Sequence, residues 1–207
     1  MIIDYKKYQL KVENYIPIES KKTRVILGHT NNHDMKHFIG WQKRLNGKYQ
    51  KTAQYTISTN GKIYEHFNPK FYSRYFKYHD LNSKSIIVLL ENDGYLFKDS
   101  KTDQFITWLG DIYKGDPDIL EKKWRNLNYW SPYTEEQMIS AVKLVNKLCD
   151  DFNIPKVTVN HNTKINELGD FTGVLYKANL EKYYTDLNPC WDFEKFKNKI
   201  ESYERDN

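Results

Sequence analysis

The segment Ser85 to Asn92, SIIVLLEN, places five branched apolar residues in a row before its first acid, Glu91. A run this short reads as a strand. Its lack of alternation reads as burial on both faces, the environment of a central strand covered by helices on either side. A second run, TRVILGHT (Thr23 to Thr30), reads as another buried strand that ends in polar residues.

The remaining elements fit around these two. KTAQYTIST and KIYEHF flank Asn60-Gly61 and predict a hairpin closed by a type I′ turn. NNHDMKHFIGWQKRLNG carries Met35, Phe38, Ile39 and Leu45 at helical spacing, with Asn31 or Asn32 as N-cap and Gly47 as stop. DQFITWLGDIYKG and LEKKWRNLNYW read as two short helices. YTEEQMISAVKLVNKLCDDFNIP opens on a capping box, Thr134 with Gln137, and has one apolar face that includes Cys149. KVTVNH reads as the next strand and WDFEKFKNKIESYE as a C-terminal amphipathic helix. The order predicts an α/β protein, a mixed central β-sheet flanked by helices. It forms a single domain over residues 1–207, with an aromatic-rich insertion at about 93–131.

Composition narrows the class. With 207 residues, 39% hydrophobic and 29% charged, the chain suits one globular domain rather than a disordered one. The net charge of +5 is spread among interspersed lysines and acids, and no basic block favours nucleic acid as a partner. Two cysteines without CxxC spacing give no disulfide framework. The start MIIDYKKYQL lacks a secretory pattern and no window approaches a membrane span, so cytoplasmic synthesis is expected.

Residue types able to bind metal gather at three predicted element ends: Gly28-His29-Thr30, Asn160-His161-Asn162 and Tyr184-Thr185-Asp186. Two histidines and a carboxylate, with a fourth position open to water, make a catalytic zinc site. The ordered set VILGHT, TISTNGKIY, SIIVLLEN, YTEEQ, NHN and YTDLNPCWDF resembles the zinc-dependent N-acetylmuramoyl-L-alanine amidases. That family also includes the peptidoglycan recognition proteins, and the resemblance runs from Arg24 to Phe196.

The resemblance implies the peptidoglycan-recognition/amidase fold and hydrolysis of the N-acetylmuramoyl-L-alanine bond by zinc-activated water. Carried over by residue, it implies His161 and Asp186 as Zn2+ ligands, with Thr185, Pro189, Trp191 and Asp192 fitting the same segment. Gly28 stands where the first zinc histidine belongs, leaving His29, one residue on, as third ligand, with His33 as substitute. Tyr184 replaces the oxyanion-stabilising lysine of the family. The family's general-base positions fall on Ala53 and Leu89, which leaves Glu91 as base. Arg74 lies where a groove histidine is often found, and Trp191 offers a ring to the substrate.

The implied partner is peptidoglycan or a muropeptide, met after lysis or as part of a phage particle. A protein partner can use the 93–131 insertion. These departures also suit a different class, a catalytically inactive amidase fold that binds cell-wall fragments or another protein, such as a phage structural component.

Overall fold

Arg24–His29 (β2) and Ser85–Leu90 (β5) lie side by side in parallel, from Arg24 opposite Ser85 to His29 opposite Leu90. Every residue of both strands is buried. The computed structural model describes residues 1–164 and 171–202. Around the central pair stand β1 (Ile3–Asp4), β3 (Tyr55–Ile57), β4 (Ile63–Glu65) and β10 (Gly173–Tyr176). Outside this sheet are β6 (Leu96–Lys98), β7 (Phe105–Thr107), β8 (Asp118–Trp124) and β9 (Leu127–Trp130). The helices are α1 (Lys36–Lys43), α2 (His79–Ser83), α3 (Glu135–Phe152), α4 (Lys177–Leu180) and α5 (Phe193–Glu201).

The main sheet runs β1-β4-β3-β5-β2-β10 and is mixed: β3 and β4 are antiparallel, and the other neighbours are parallel. Alternation divides the core. Val25, Leu27, Ile86, Val88 and Leu90 pack with α3 and α5 through Val145, Leu148 and Phe196. Ile26, Ile87 and Leu89 pack on the opposite side with Phe38 and Trp41 of α1. Each fully buried aliphatic contributes about 1.5–3 kcal/mol, so this doubly covered pair dominates the stability of the fold.

The helix α3 begins as its sequence requires. Thr134 Oγ1 accepts from the Gln137 N–H, and the Gln137 side chain accepts from the Thr134 N–H. Gln137 is itself fully buried and donates to the Glu91 carbonyl at 2.7 Å, tying the start of α3 to the end of β5.

Four expectations need correction. The hairpin turn is not type I′: among Thr59, Asn60 and Gly61 only Gly61 has positive φ (75°), and Gly61 N–H donates to Ser58. This is a three-residue loop with glycine at the left-handed position. A Cβ there would also lie 2.8 Å from the Glu136 carbonyl oxygen.

The helix α1 starts later than expected, after Met35, because Asn31, Asp34 and Met35 all adopt positive φ. Asn32 nevertheless caps it from a distance, its Oδ1 accepting the His37 N–H at 3.1 Å. Lys156 to His161 contributes only a single bridge, Thr158 to Val174, and the strand beside β2 is β10. The two short helices of the insertion are two antiparallel hairpins, β6–β7 and β8–β9. The last residues of the expected C-terminal helix, Tyr203 and Glu204, lie outside the described residues.

A polar chain crosses the α1 side of the core. His37 Nε2 lies 3.0 Å from Thr56 Oγ1, which lies 2.8 Å from His66 Nε2, and His66 Nδ1 donates to the Tyr8 carbonyl. Burial lowers the pKa of His37 to about 3 and of His66 to about 4.

Two predictions follow from this packing. Thr134→Ala removes the cap and lowers stability by about 1 kcal/mol, read as a shift of the urea midpoint at constant slope. Both buried histidines are neutral when folded, while in the unfolded chain they titrate near 6.5. Their contribution is therefore complete above that value and erodes as pH falls through it toward the folded values. A melting temperature that stays flat between about pH 7 and about pH 4.5 would refute the neutral, buried assignment.

Candidate active site

The parallel register of β10 with β2 ends at Tyr176 opposite Leu27, so the next residues, Lys177 and Gly28, come side by side at the C-terminal edge of the sheet. The loop after α4 returns to the same edge and sets Asp186 over it. The Ala178 N–H donates to the Asp186 carbonyl, and the His29 N–H donates to Asp186 Oδ2 at 3.2 Å. Lys177 Nζ lies 2.9 Å from that same Oδ2. A Cβ on Gly28 would lie 2.8 Å from it as well, and 3.3 Å from Lys177 Cδ.

Asp186 and Lys177 therefore form an ion pair at the sheet edge, with side chains 3% and 13% exposed. Burial opposes both charges, yet each partner offsets it for the other. The Lys177 ammonium holds the Asp186 carboxyl below its ordinary value, and Asp186 with Tyr75 holds Lys177 above the usual lysine value. The ammonium also sits 4.7 Å from the Tyr184 ring centre and 5.5 Å from that of Tyr75, within the range of cation–π attraction.

His29 faces the other way. The strand runs regularly to His29 opposite Leu90, without a bulge, so the imidazole points toward the start of α3. Its Nδ1 lies 2.9 Å from the Tyr133 hydroxyl and its Nε2 2.9 Å from Asn31 Oδ1. Burial lowers its pKa to about 4. Gly94, at φ 75°, closes over the ring, where a Cβ would stand 3.1 Å from Nε2.

His161 lies elsewhere. Its ring stacks on Phe193 at 4.1 Å and approaches Trp124 at 6.0 Å. It lines a cavity of 430 Å³ with Thr158, Tyr176 and Phe193. Among the described residues no hydrogen bond or ion pair joins it to Asp186. His33 pairs with Asp93 at 2.9 Å, and His37 belongs to the core chain.

The other expected site residues are dispersed. Glu91 Oε1 accepts the Met35 N–H at 2.6 Å, and burial raises its pKa. Arg74 is exposed. Trp191 is 2% exposed, packs on Tyr133 and Phe196, and lines the same cavity as His161.

The insertion forms part of the surroundings. Trp108 Nε1 donates to the Asn31 carbonyl, and Arg125, at the tip of β8–β9, donates to the carbonyls of Ala178 and Glu181. A second cavity of 510 Å³ opens here, between Tyr95, Phe97, Arg125, Lys182 and Tyr183.

The sequence profile of N-acetylmuramoyl-L-alanine amidases matches residues 19–170, most of the chain, and the protein belongs to that family. The match stops before β10, Lys177 and Asp186. No curated protein sequence matches the chain.

Solved structures share the fold at low identity. The N-acetylmuramoyl-L-alanine amidase LysC from Clostridium intestinale URNW superposes with a TM-score of 0.55 at 13% identity, covering 97% of this chain and 98% of its own. An endolysin from Bacillus subtilis gives 0.53 at 13% identity, covering 97% and 99%. AmiD from E. coli gives 0.54 at 13% identity, covering 89% of this chain and 59% of its own. AmiD was solved with the substrate anhydro-N-acetylmuramic acid-L-Ala-D-gamma-Glu-L-Lys.

Zinc is the cofactor that the resemblance implies, and the residues at the sheet edge do not fit it. The side chains that converge there are a glycine, an ammonium and one carboxylate, against the three protein ligands a catalytic zinc needs. Among the described residues no group of three His, Cys, Asp or Glu side chains could hold a metal ion.

Lys177 was the residue that sequence reasoning missed. Its one signal is the short apolar run Gly173–Tyr176 directly before it, a strand in its own right. Removing it leaves a buried carboxylate unpaired: Lys177→Met is expected to cost about 3–5 kcal/mol. Adding Asp186→Asn to that variant recovers most of the loss. Chemical denaturation of the set checks this, and equal stability of the single variant and the parent refutes the pair as described.

Proposed function

We propose that the chain acts on peptidoglycan at the amide between N-acetylmuramic acid and L-alanine. The bond would lie in the cleft over the C-terminal ends of β2, β5 and β10. The observation that carries this reading is the family match across residues 19–170. The shared fold and the muropeptide complex of AmiD support amidase activity on this substrate.

Zinc has no part in this reading, because the donor set at the sheet edge does not suit it. The chain's own residues supply other chemistry. The Lys177 ammonium keeps some exposure and can donate to a ligand carbonyl oxygen. In this reading Tyr184, which flanks that ammonium, positions it, and Glu91, with its raised pKa, serves as proton acceptor. The exposed Arg74 meets a ligand carboxylate, and the insertion walls the groove or meets a protein partner.

No described helix is long and apolar enough to cross a membrane. The endolysins among the structural neighbours fit action on the cell wall during lysis or from a phage particle. A second reading, binding of cell-wall fragments without hydrolysis, is favoured by one observation, the ammonium that sits against Asp186.

The test is direct. Incubate the purified chain with muropeptides, follow free stem peptide by mass spectrometry, and measure pelleting with cell-wall sacculi in parallel. Release of peptides beginning with L-alanine supports the amidase. Pelleting without release supports the second reading, and the absence of both release and pelleting refutes peptidoglycan as the target.

A further inference from the structure

We propose that the Lys177 ammonium, laid over Gly28 and paired with Asp186, is the resident cation of this cleft, and that the chain takes up no divalent metal there.

Three positions meet at one point of the sheet edge. Gly28 Cα, the Lys177 stem and Asp186 Oδ2 are in mutual contact range, since a Cβ on Gly28 would lie 2.8 Å from the carboxylate and 3.3 Å from the lysine Cδ. Gly28 lies within a regular strand and in ordinary register, so its backbone does not demand glycine. What favours it is space: with the lysine stem in place a Cβ would press on both Asp186 Oδ2 and Lys177 Cδ, so a larger residue fits only where the lysine is shortened and the carboxylate turns aside. Gly28 and Lys177 are thus a matched pair, one residue emptied of side chain and its neighbour on the next strand filling the volume.

The charge logic runs the same way. A buried carboxylate needs a cation or a proton beside it. Asp186 has an ammonium at 2.9 Å, held by two tyrosine rings at 4.7 and 5.5 Å, as well as the His29 N–H at 3.2 Å. A divalent ion would have to displace a positive charge to reach this oxygen and would then find a single carboxylate. Among the described residues the imidazole beside the site is that of His29, and both its ring nitrogens are engaged, with Tyr133 and Asn31. An ammonium is a compact point charge with three donors, able to meet both Asp186 and a ligand oxygen.

This inference stands on geometry alone and does not depend on peptidoglycan as target. Its test is metal binding by the full chain, with zinc chloride as probe. The parent protein, dialysed against zinc and then against metal-free buffer, is expected to retain no more metal than Asp186→Asn. Retention of one zinc per chain that a folded Asp186→Asn variant abolishes overturns the proposal; should that variant not fold, the same loss in the folded Lys177→Met/Asp186→Asn double variant overturns it.

The converse arm rebuilds a ligand set. Gly28→His combined with Lys177→His places two imidazoles beside Asp186, and this double variant is expected to gain one tightly held zinc. Either substitution alone should not: the first collides with the lysine, and the second leaves too few ligands. A folded double variant, judged by circular dichroism, that takes up no zinc would show that positions 28 and 177 do not face a common cation position, and overturns the proposal. A failed peptidoglycan assay with these metal results unchanged would refute the proposed substrate and leave the resident ammonium standing.

Discussion

The parallel pairing of β2 with β5 is the constraint on which everything else rests. Both strands are buried along their whole length, so neither has a face that tolerates water. The chain must lay α3 and α5 on one side and α1 on the other before the pair is stable. Covering both faces with apolar residues leaves the strand ends as the places where buried polar residues such as Arg24, His29 and Glu91 gather. The meeting of Gly28, Lys177 and Asp186 at the C-terminal edge is the geometric result of burying the middle.

Alternation along β2 then decides which side chain does what. Position 28 falls on the α1 face and position 29 on the α3 face, so a shift of one residue exchanges a site-facing side chain for a core-facing one. His29 becomes a neutral, doubly hydrogen-bonded imidazole beneath the cleft, and only its backbone reaches Asp186. Its chemistry is that of a strut. The chain belongs to an amidase family while the centre of its cleft is built from an ion pair.

Much of this was readable from the residues. The buried runs, the β3–β4 hairpin, the capping box at Thr134 and the mixed sheet all rest on local patterns whose physical cause is strong. What resisted reading was non-local. The β8–β9 hairpin of the insertion turns on Arg125-Asn126 at positive φ, without the glycine that usually marks such a turn. Lys156 to His161 alternates like a strand but is left outside the sheet, because β10 takes the place beside β2. The result is that Lys177, and not His161, lies beside Asp186 and over Gly28, a residue far away in sequence. Spacing within a motif carries no information about such a meeting.

Arg125 gives the insertion a mechanical meaning. The helix α4 is a single turn, and the carbonyls at Ala178 and Glu181 take their donors from a guanidinium at the tip of a separate hairpin. That guanidinium is in turn braced on Trp124, 4.4 Å from its ring centre. The tip of the hairpin is thereby fastened to the turn that carries Lys177. The backbone that carries Lys177 is thus held from two sides, by the pairing of β10 with β2 and by two hydrogen bonds from a distant hairpin.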